Sequence, residues 1–190
     1  MINPIRLIGM WDEGYALDMH IINSEYVGED VYGHEQFETT RTQIGELLYR
    51  MKYNGHNDTS NEILDVASSF LDRWLTEEIH ADVILPSPPT VRRAIQPVNI
   101  IAQAIASRYN IRYMPNVLNK RCGVASKSLN GQSKSFDGSI HLIVPMEFDC
   151  NVLLIDDVYS TGATANECVR ALRQDKHIKN IYLLTMTKTK

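Results

Sequence analysis

The sequence predicts an α/β protein with a mostly parallel, twisted sheet flanked by helices, and two patterns carry that expectation. Asp82-Val83-Ile84-Leu85, Asn151-Val152-Leu153-Leu154-Ile155 and Asn180 to Met186 are short apolar runs without the polar alternation of a half-exposed strand. Such runs belong to strands buried on both faces, as in parallel sheets. Between them lie stretches whose apolar residues recur three and four apart, the period of an amphipathic helix. A chain of 190 residues, 44% of them hydrophobic, suffices for one core and one domain of this kind.

Taken in order, Tyr15, Leu17, Met19 and Ile21 alternate with Ala16, Asp18 and His20, the period of a half-buried strand. The polar, glycine-containing segment from Ser24 to Glu38 reads as an edge hairpin or loop. Thr40-Arg41-Thr42-Gln43 fits a capping box in which Thr40 and Gln43 satisfy backbone donors reciprocally. Ile44, Leu47, Leu48 and Met51 then define a helix to about Tyr53, stopping at Gly55, with Lys52 in the last turn, where a cation suits the helix dipole. A second helix starts near Ser60, carrying Ile63, Val66, Ala67, Phe70 and Trp74 on one stripe, with Trp11 and Trp74 as packing residues. The strand Asp82 to Leu85 ends in the stiff loop Pro86-Ser87-Pro88-Pro89-Thr90. Pro97 suits the first position of a helix that runs to about Tyr109. Ile111 to Val117 reads as a strand, and Cys122 to Gly138, rich in Gly, Ser and Lys, as a mobile loop. Strands over Ser139 to Val144, Asn151 to Ile155 and Asn180 to Met186 follow, with a helix from about Thr164 to Gln174 between the last two.

The net charge of −4 argues against a general nucleic-acid footprint. A local groove built from Arg92, Arg93, Lys120, Arg121 and Lys127 is the arrangement that would restore one. Cys122, Cys150 and Cys168 are scattered without CxxC spacing, so they make neither a disulfide framework nor a zinc site. The N-terminal segment lacks a secretory pattern and no run of 18 apolar residues occurs, which makes a cytoplasmic, membrane-free setting the expectation.

One stretch stands apart. In Val152 to Leu172, VLLIDDVYSTGATANECVRAL, an apolar strand runs into the adjacent carboxylates Asp156 and Asp157, and a loop of small residues then opens a helix. Ligands of open parallel sheets bind beyond the carboxyl ends of the strands. The backbone amides of Ser160, Thr161, Gly162, Ala163 and Thr164, with the helix dipole behind them, suit a phosphate. Acids beside an anion cradle make sense with a sugar between them: carboxylates accept hydrogen bonds from ribose hydroxyls while the loop holds the 5′-phosphate. A Mg²⁺ ion beside the sugar would reduce the remaining repulsion. A two-component receiver domain would need its acidic pair near the N-terminus, and a P-loop ATPase would need glycines where Arg121 and Ser126 stand.

The stretch VLLIDDVYSTGAT resembles the phosphoribosyl-pyrophosphate (PRPP) signature of type I phosphoribosyltransferases. Met51-Lys52-Tyr53-Asn54-Gly55, the PSPP loop, Arg92-Arg93 and Lys120-Arg121 are similar in order and spacing to the ComF family, from about Ile44 to Thr187. The resemblance implies that Asp156 and Asp157 contact the ribose hydroxyls and share in holding Mg²⁺. It implies that Tyr159 to Thr164 wrap the 5′-phosphate. Ser87, Pro88, Arg92 and Arg93 would bind pyrophosphate, in a loop that in this fold often holds a strained or cis non-proline peptide. Lys127 and Lys134 would lie on a lid over Cys122 to Gly138. It further implies a type I phosphoribosyltransferase-like fold, with residues 1–57 as hood or appendage, 58–190 as core, and a homodimer as a common assembly. Two departures stand out. The cysteines cannot build the zinc module frequent in ComF proteins, and Arg93-Ala94-Ile95-Gln96 replaces the usual run after the proline loop.

The function this implies is Mg-dependent phosphoribosyl transfer to an unidentified acceptor. The alternative is a non-catalytic PRPP-sensing or nucleic-acid-interacting protein. Ser160 or Thr161 stands where related enzymes often carry an acid four positions past the pair, which favours the alternative. Hydrolysis, with water as acceptor, is a third reading.

Overall fold

The computed structural model describes residues 2–53, 59–89, 96–120 and 139–189. Its elements are β1 (Ile5–Arg6), β2 (Glu13–Met19), β3 (Ile21–Glu29), β4 (Glu35–Arg41), α1 (Gln43–Tyr53), α2 (Thr59–Arg73), β5 (Val83–Pro86), α3 (Pro97–Tyr109), β6 (Arg112–Tyr113), β7 (Leu118–Lys120), β8 (Ile140–Leu142), β9 (Cys150–Tyr159), α4 (Ala163–Leu172) and β10 (Ile178–Lys188). A π-helical turn, Trp74–Glu78, extends α2. Six strands form the main sheet in the order β1-β2-β10-β9-β5-β6. All neighbours run parallel except β1, which is antiparallel to β2. The α/β architecture with a mostly parallel sheet is therefore as the sequence predicts.

The apolar runs explain the layering. Side chains alternate across a strand, so successive apolar residues feed two cores. Leu153, Ile155, Ile84, Leu184 and Met186 pack beneath α1, α2 and α3. Val152, Leu154, Val83, Leu85, Ile181 and Leu183 pack on the other face against α4 and the residues of β7 and β8. Trp74 anchors the first core, fully buried, donating its indole N–H to Glu13 at 2.6 Å and stacking on Phe70.

Several local expectations are corrected. The cap of α1 is Thr42, whose Oγ1 accepts from the Gly45 amide at 3.0 Å and donates to the Met19 carbonyl at 2.6 Å. Thr40 instead lies in β4, opposite Asn23, so the capping-box reading was two residues early. The strand expected to reach Ile21 ends at Met19, and His20 turns the chain into the β3–β4 hairpin, a separate two-stranded sheet. The strand expected over Ile111 to Val117 shrinks to two residues at the sheet edge. Ser139 to Val144 yields only Ile140–Leu142, which pairs antiparallel with β7 outside the main sheet. Both segments meet a proline, Pro115 and Pro145, which cannot donate to a ladder. Residues 1–57 contribute β2 and α1 to the sheet and its covering layer; the hairpin is the part that stands apart.

Candidate functional site

Because β2, β10, β9 and β5 are parallel, their carboxyl ends lie along one edge of the sheet, and the acidic pair lies there. Sequence reading put the pair just past a strand ending at Ile155. The strand in fact continues to Tyr159, with Asp156 opposite Thr185 and Tyr159 opposite Lys188 of β10. On the other side, pairing with β5 stops at Pro86–Ile155. Beyond that point β9 has lost one neighbour, and a cleft opens between it and the loop after β5.

Into this cleft face Ser87, Pro88, Pro89, Gln96, Pro97, Val98, Asn99, Asp156, Asp157, Val158 and Thr164, around a cavity of ≈ 220 Å³. A smaller one of ≈ 70 Å³ is lined by Asp156 and by Val158 through Ala165. The two share Asp156, Val158 and Thr164. The site is thus two-lobed, with the first carboxylate at the junction.

The small lobe follows from the turn chemistry. Gly162 has φ +77° and caps α4 without a side chain. A Cβ there would stand 2.5 Å from the Tyr159 hydroxyl, so the position needs glycine for conformation and for space. The first amides of α4 have no side-chain cap, and Ala163 N meets Thr161 Oγ1 only at 3.4 Å. A helix N-terminus left in this state, with its positive dipole end, favours an anion. Tyr159 is held from behind by an edge-on contact with Trp11, ring centres 6.0 Å apart.

The two carboxylates have different surroundings. Asp156 Oδ1 accepts from Ser87 Oγ at 2.7 Å and from the Asp157 amide at 2.9 Å. Burial, and next the neighbouring Asp157 charge, push the Asp156 carboxyl up to about 6. Asp157 instead forms an ion pair through Oδ2 with Lys52 Nζ at 2.6 Å, both side chains largely shielded. Behind this pair, His20 Nδ1 meets Thr187 Oγ1 at 3.0 Å. Burial, then the charges of Lys52 and Arg41, lower the His20 pKa and favour neutral imidazole.

Among the described residues, no cluster of three or more His, Cys, Asp or Glu is set to hold a metal unaided. The contacts among the described residues take up Oδ1 of Asp156 and Oδ2 of Asp157, leaving one oxygen on each. A hard cation that takes one or two carboxylates and completes its shell with phosphate oxygens and water fits such a donor set.

The structure therefore brings together Ser87, Pro88, Asp156, Asp157, Tyr159, Ser160, Thr161, Gly162, Ala163 and Thr164. Arg92, Arg93, Lys127 and Lys134 lie outside the described residues, as does Arg121. No cis peptide occurs among the described residues, the proline loop through Pro89 included. Sequence reading missed the partnership of Lys52 with Asp157, since 105 positions separate them. It also missed Gln96 and Asn99 as lining residues. The one available signal was Lys52 itself, a cation in the last turn of an otherwise apolar-faced helix.

No protein-family model matches the chain, and no curated protein matches it. Among solved structures, an adenine phosphoribosyltransferase from Saccharomyces cerevisiae is 11% identical, over 87% of this chain and 84% of its own, with a TM-score of 0.46. One from Thermoanaerobacter pseudethanolicus is 14% identical, over 88% and 95%, at 0.45. An orotate phosphoribosyltransferase from Aeropyrum pernix is 14% identical, over 87% and 74%, at 0.43. Likeness at this level leaves the chemistry of the site to its own residues.

Proposed function

We propose that the chain binds PRPP at the two-lobed site and transfers its phosphoribosyl group to an acceptor, releasing pyrophosphate. The observation that carries this is the junction at Asp156: an acidic pair, in the stretch that resembles the PRPP signature, stands between an uncapped helix N-terminus and a larger cleft. The 5′-phosphate enters the small lobe, on the amides of the Ser160 to Thr164 turn. The ribose hydroxyls donate to Asp156 and Asp157. Pyrophosphate lies in the larger lobe near Ser87 and Pro88, with Arg92, Arg93, Lys127 and Lys134 as its cations.

Transfer breaks the bond from C1 to the pyrophosphate oxygen, whose electron pair leaves with pyrophosphate, while a lone pair of the acceptor forms the new bond to C1. The transition state resembles an oxocarbenium ion, so the protein contributes positioning and charge rather than covalent chemistry. Mg²⁺ held at this acidic edge would offset charge on the departing pyrophosphate. Ser87 holds Asp156 in place, and Gly162 keeps the amides of the turn within reach of phosphate. Among the described residues, the hairpin β3–β4 leaves the sheet at this edge, directly after β2, and is a candidate element for choosing the acceptor. A ComF-like affiliation, a cytoplasmic setting and a homodimeric assembly are part of the same proposal.

Ser160 is exposed and carries no acid, which favours a second reading in which the site senses PRPP without turnover. Pyrophosphate release from PRPP and Mg²⁺, measured with a panel of purine and pyrimidine bases and ammonia, separates the two. Base-dependent release abolished by Asp156→Asn supports transfer. Binding without release under any acceptor supports the sensor. Release without an acceptor, lost in the same variant, is hydrolysis and contradicts transfer.

A further inference from the structure

Lys52 lies outside the PRPP-signature stretch and, through its pair with Asp157, ties the N-terminal half of the chain to the site. Lys52 occupies the last turn of α1, and that helix is fixed by its cap to the Met19 carbonyl and by Leu48 and Met51, which are buried against the sheet. The ammonium therefore cannot drift from its carboxylate by movement of the helix. It lies 2.6 Å from Asp157 Oδ2, with side-chain exposures of 15% and 22%. A pair this shielded is screened little by salt.

A cation so placed changes what a metal can do. An ion bridging both carboxylates would approach an ammonium already seated on one of them, and like charges repel strongly in a shielded site. Among the described residues Asp156 has no ion-pair partner; its contacts there are a hydroxyl and an amide.

We infer that Lys52 is a positioning residue that neutralises Asp157 in place of a metal, so that the pentose 5-phosphate end of the ligand binds without Mg²⁺. This rests on the reading of the site given above. Asp156 alone then contributes a carboxylate to the ion, and the metal serves the pyrophosphate end. With the ammonium holding Oδ2, Oδ1 of Asp157, a residue that lines the cleft, is left to accept from a ribose hydroxyl.

The test uses ribose 5-phosphate, which lacks pyrophosphate, titrated calorimetrically into the full chain in EDTA and again with Mg²⁺. Wild type is expected to bind equally well in both, within about threefold. Lys52→Met is expected to lose about tenfold or more in EDTA, and Mg²⁺ to recover part of it because the ion can now reach Asp157. Lys52→Arg, which keeps the charge, should stay within about threefold of wild type. In an Asp157→Asn background, Lys52→Met should have no further effect, which separates neutralisation from a general packing role. Three results overturn the inference while leaving the site reading intact: wild type that binds ribose 5-phosphate only with Mg²⁺, Lys52→Met that binds normally in EDTA, or Lys52→Arg that loses as much as Lys52→Met. Wild type that binds neither ribose 5-phosphate nor PRPP overturns the site reading itself.

Discussion

At Gly162, one missing methyl group keeps the small lobe open. The left-handed φ of +77° strains any L side chain, and the Tyr159 hydroxyl fills the space a Cβ would need. Gly162→Ala should lower stability by about 1–2 kcal/mol, measured by urea denaturation. Adding Tyr159→Phe should recover only the part due to the clash, since the backbone strain remains. Asp156 gives a second residue-scale expectation. Its carboxyl titrates near 6 in the folded chain, above its ordinary value of 3.8, so between those values the native state holds more proton than the unfolded one. Stability should accordingly fall as pH rises from about 4 to about 6 and then level off. Asp156→Asn should remove that slope and be the more stable protein at pH 7, by about 1–2 kcal/mol after allowing for solvent screening. Melting temperatures of both proteins across this pH range check it; a wild-type curve rising from 4 to 6 with the slope unchanged in the variant contradicts it.

Among the elements, α1 and the hairpin behave differently because one has a buried face and the other has little. Thr42→Ala removes the cap and its bond to the Met19 carbonyl and should destabilise by about 1–2 kcal/mol, whereas Thr40→Ala should change stability by less than about 0.5 kcal/mol. The reverse order would restore the capping-box assignment. In the hairpin, Glu25 stands directly opposite Glu38 and Glu29 opposite Glu35. Like charges so placed destabilise a strand pair, and a lone two-stranded hairpin is marginal in water. Glu38→Lys should slow hydrogen exchange of the β3 and β4 amides, and no change would argue that the hairpin is held by something other than its own pairing. These elements mark what sequence could yield. Helices with a full apolar stripe, and strands buried on both faces, were legible because burial imprints a period. Where the pattern rested on a few residues, as at Ile111 to Val117 or Ser139 to Val144, prolines and an alternative antiparallel partner overrode it.

For the whole molecule, the parallel sheet decides where chemistry can occur, since it gathers the ends of β2, β10, β9 and β5 on one edge. That much was readable from the order of apolar runs and helices. The acid pair and the small-residue turn were readable because they are contiguous. The partners that complete the site are not: Ser87 reaches Asp156 across 69 positions, and Lys52 meets Asp157 only because α1 packs on the sheet face over β2 and β10, next to β9. Spacing in sequence carries no trace of such contacts.

The proposed function requires this edge of the sheet to hold PRPP through Asp156 and Asp157. The most direct test is calorimetric titration of PRPP with Mg²⁺ into wild type and into Asp156→Asn/Asp157→Asn, with melting curves confirming that both are folded. Micromolar binding in wild type, weakened at least about a hundredfold in the double variant, is the predicted result. Absence of binding in folded wild type, or equal binding in both, would contradict it.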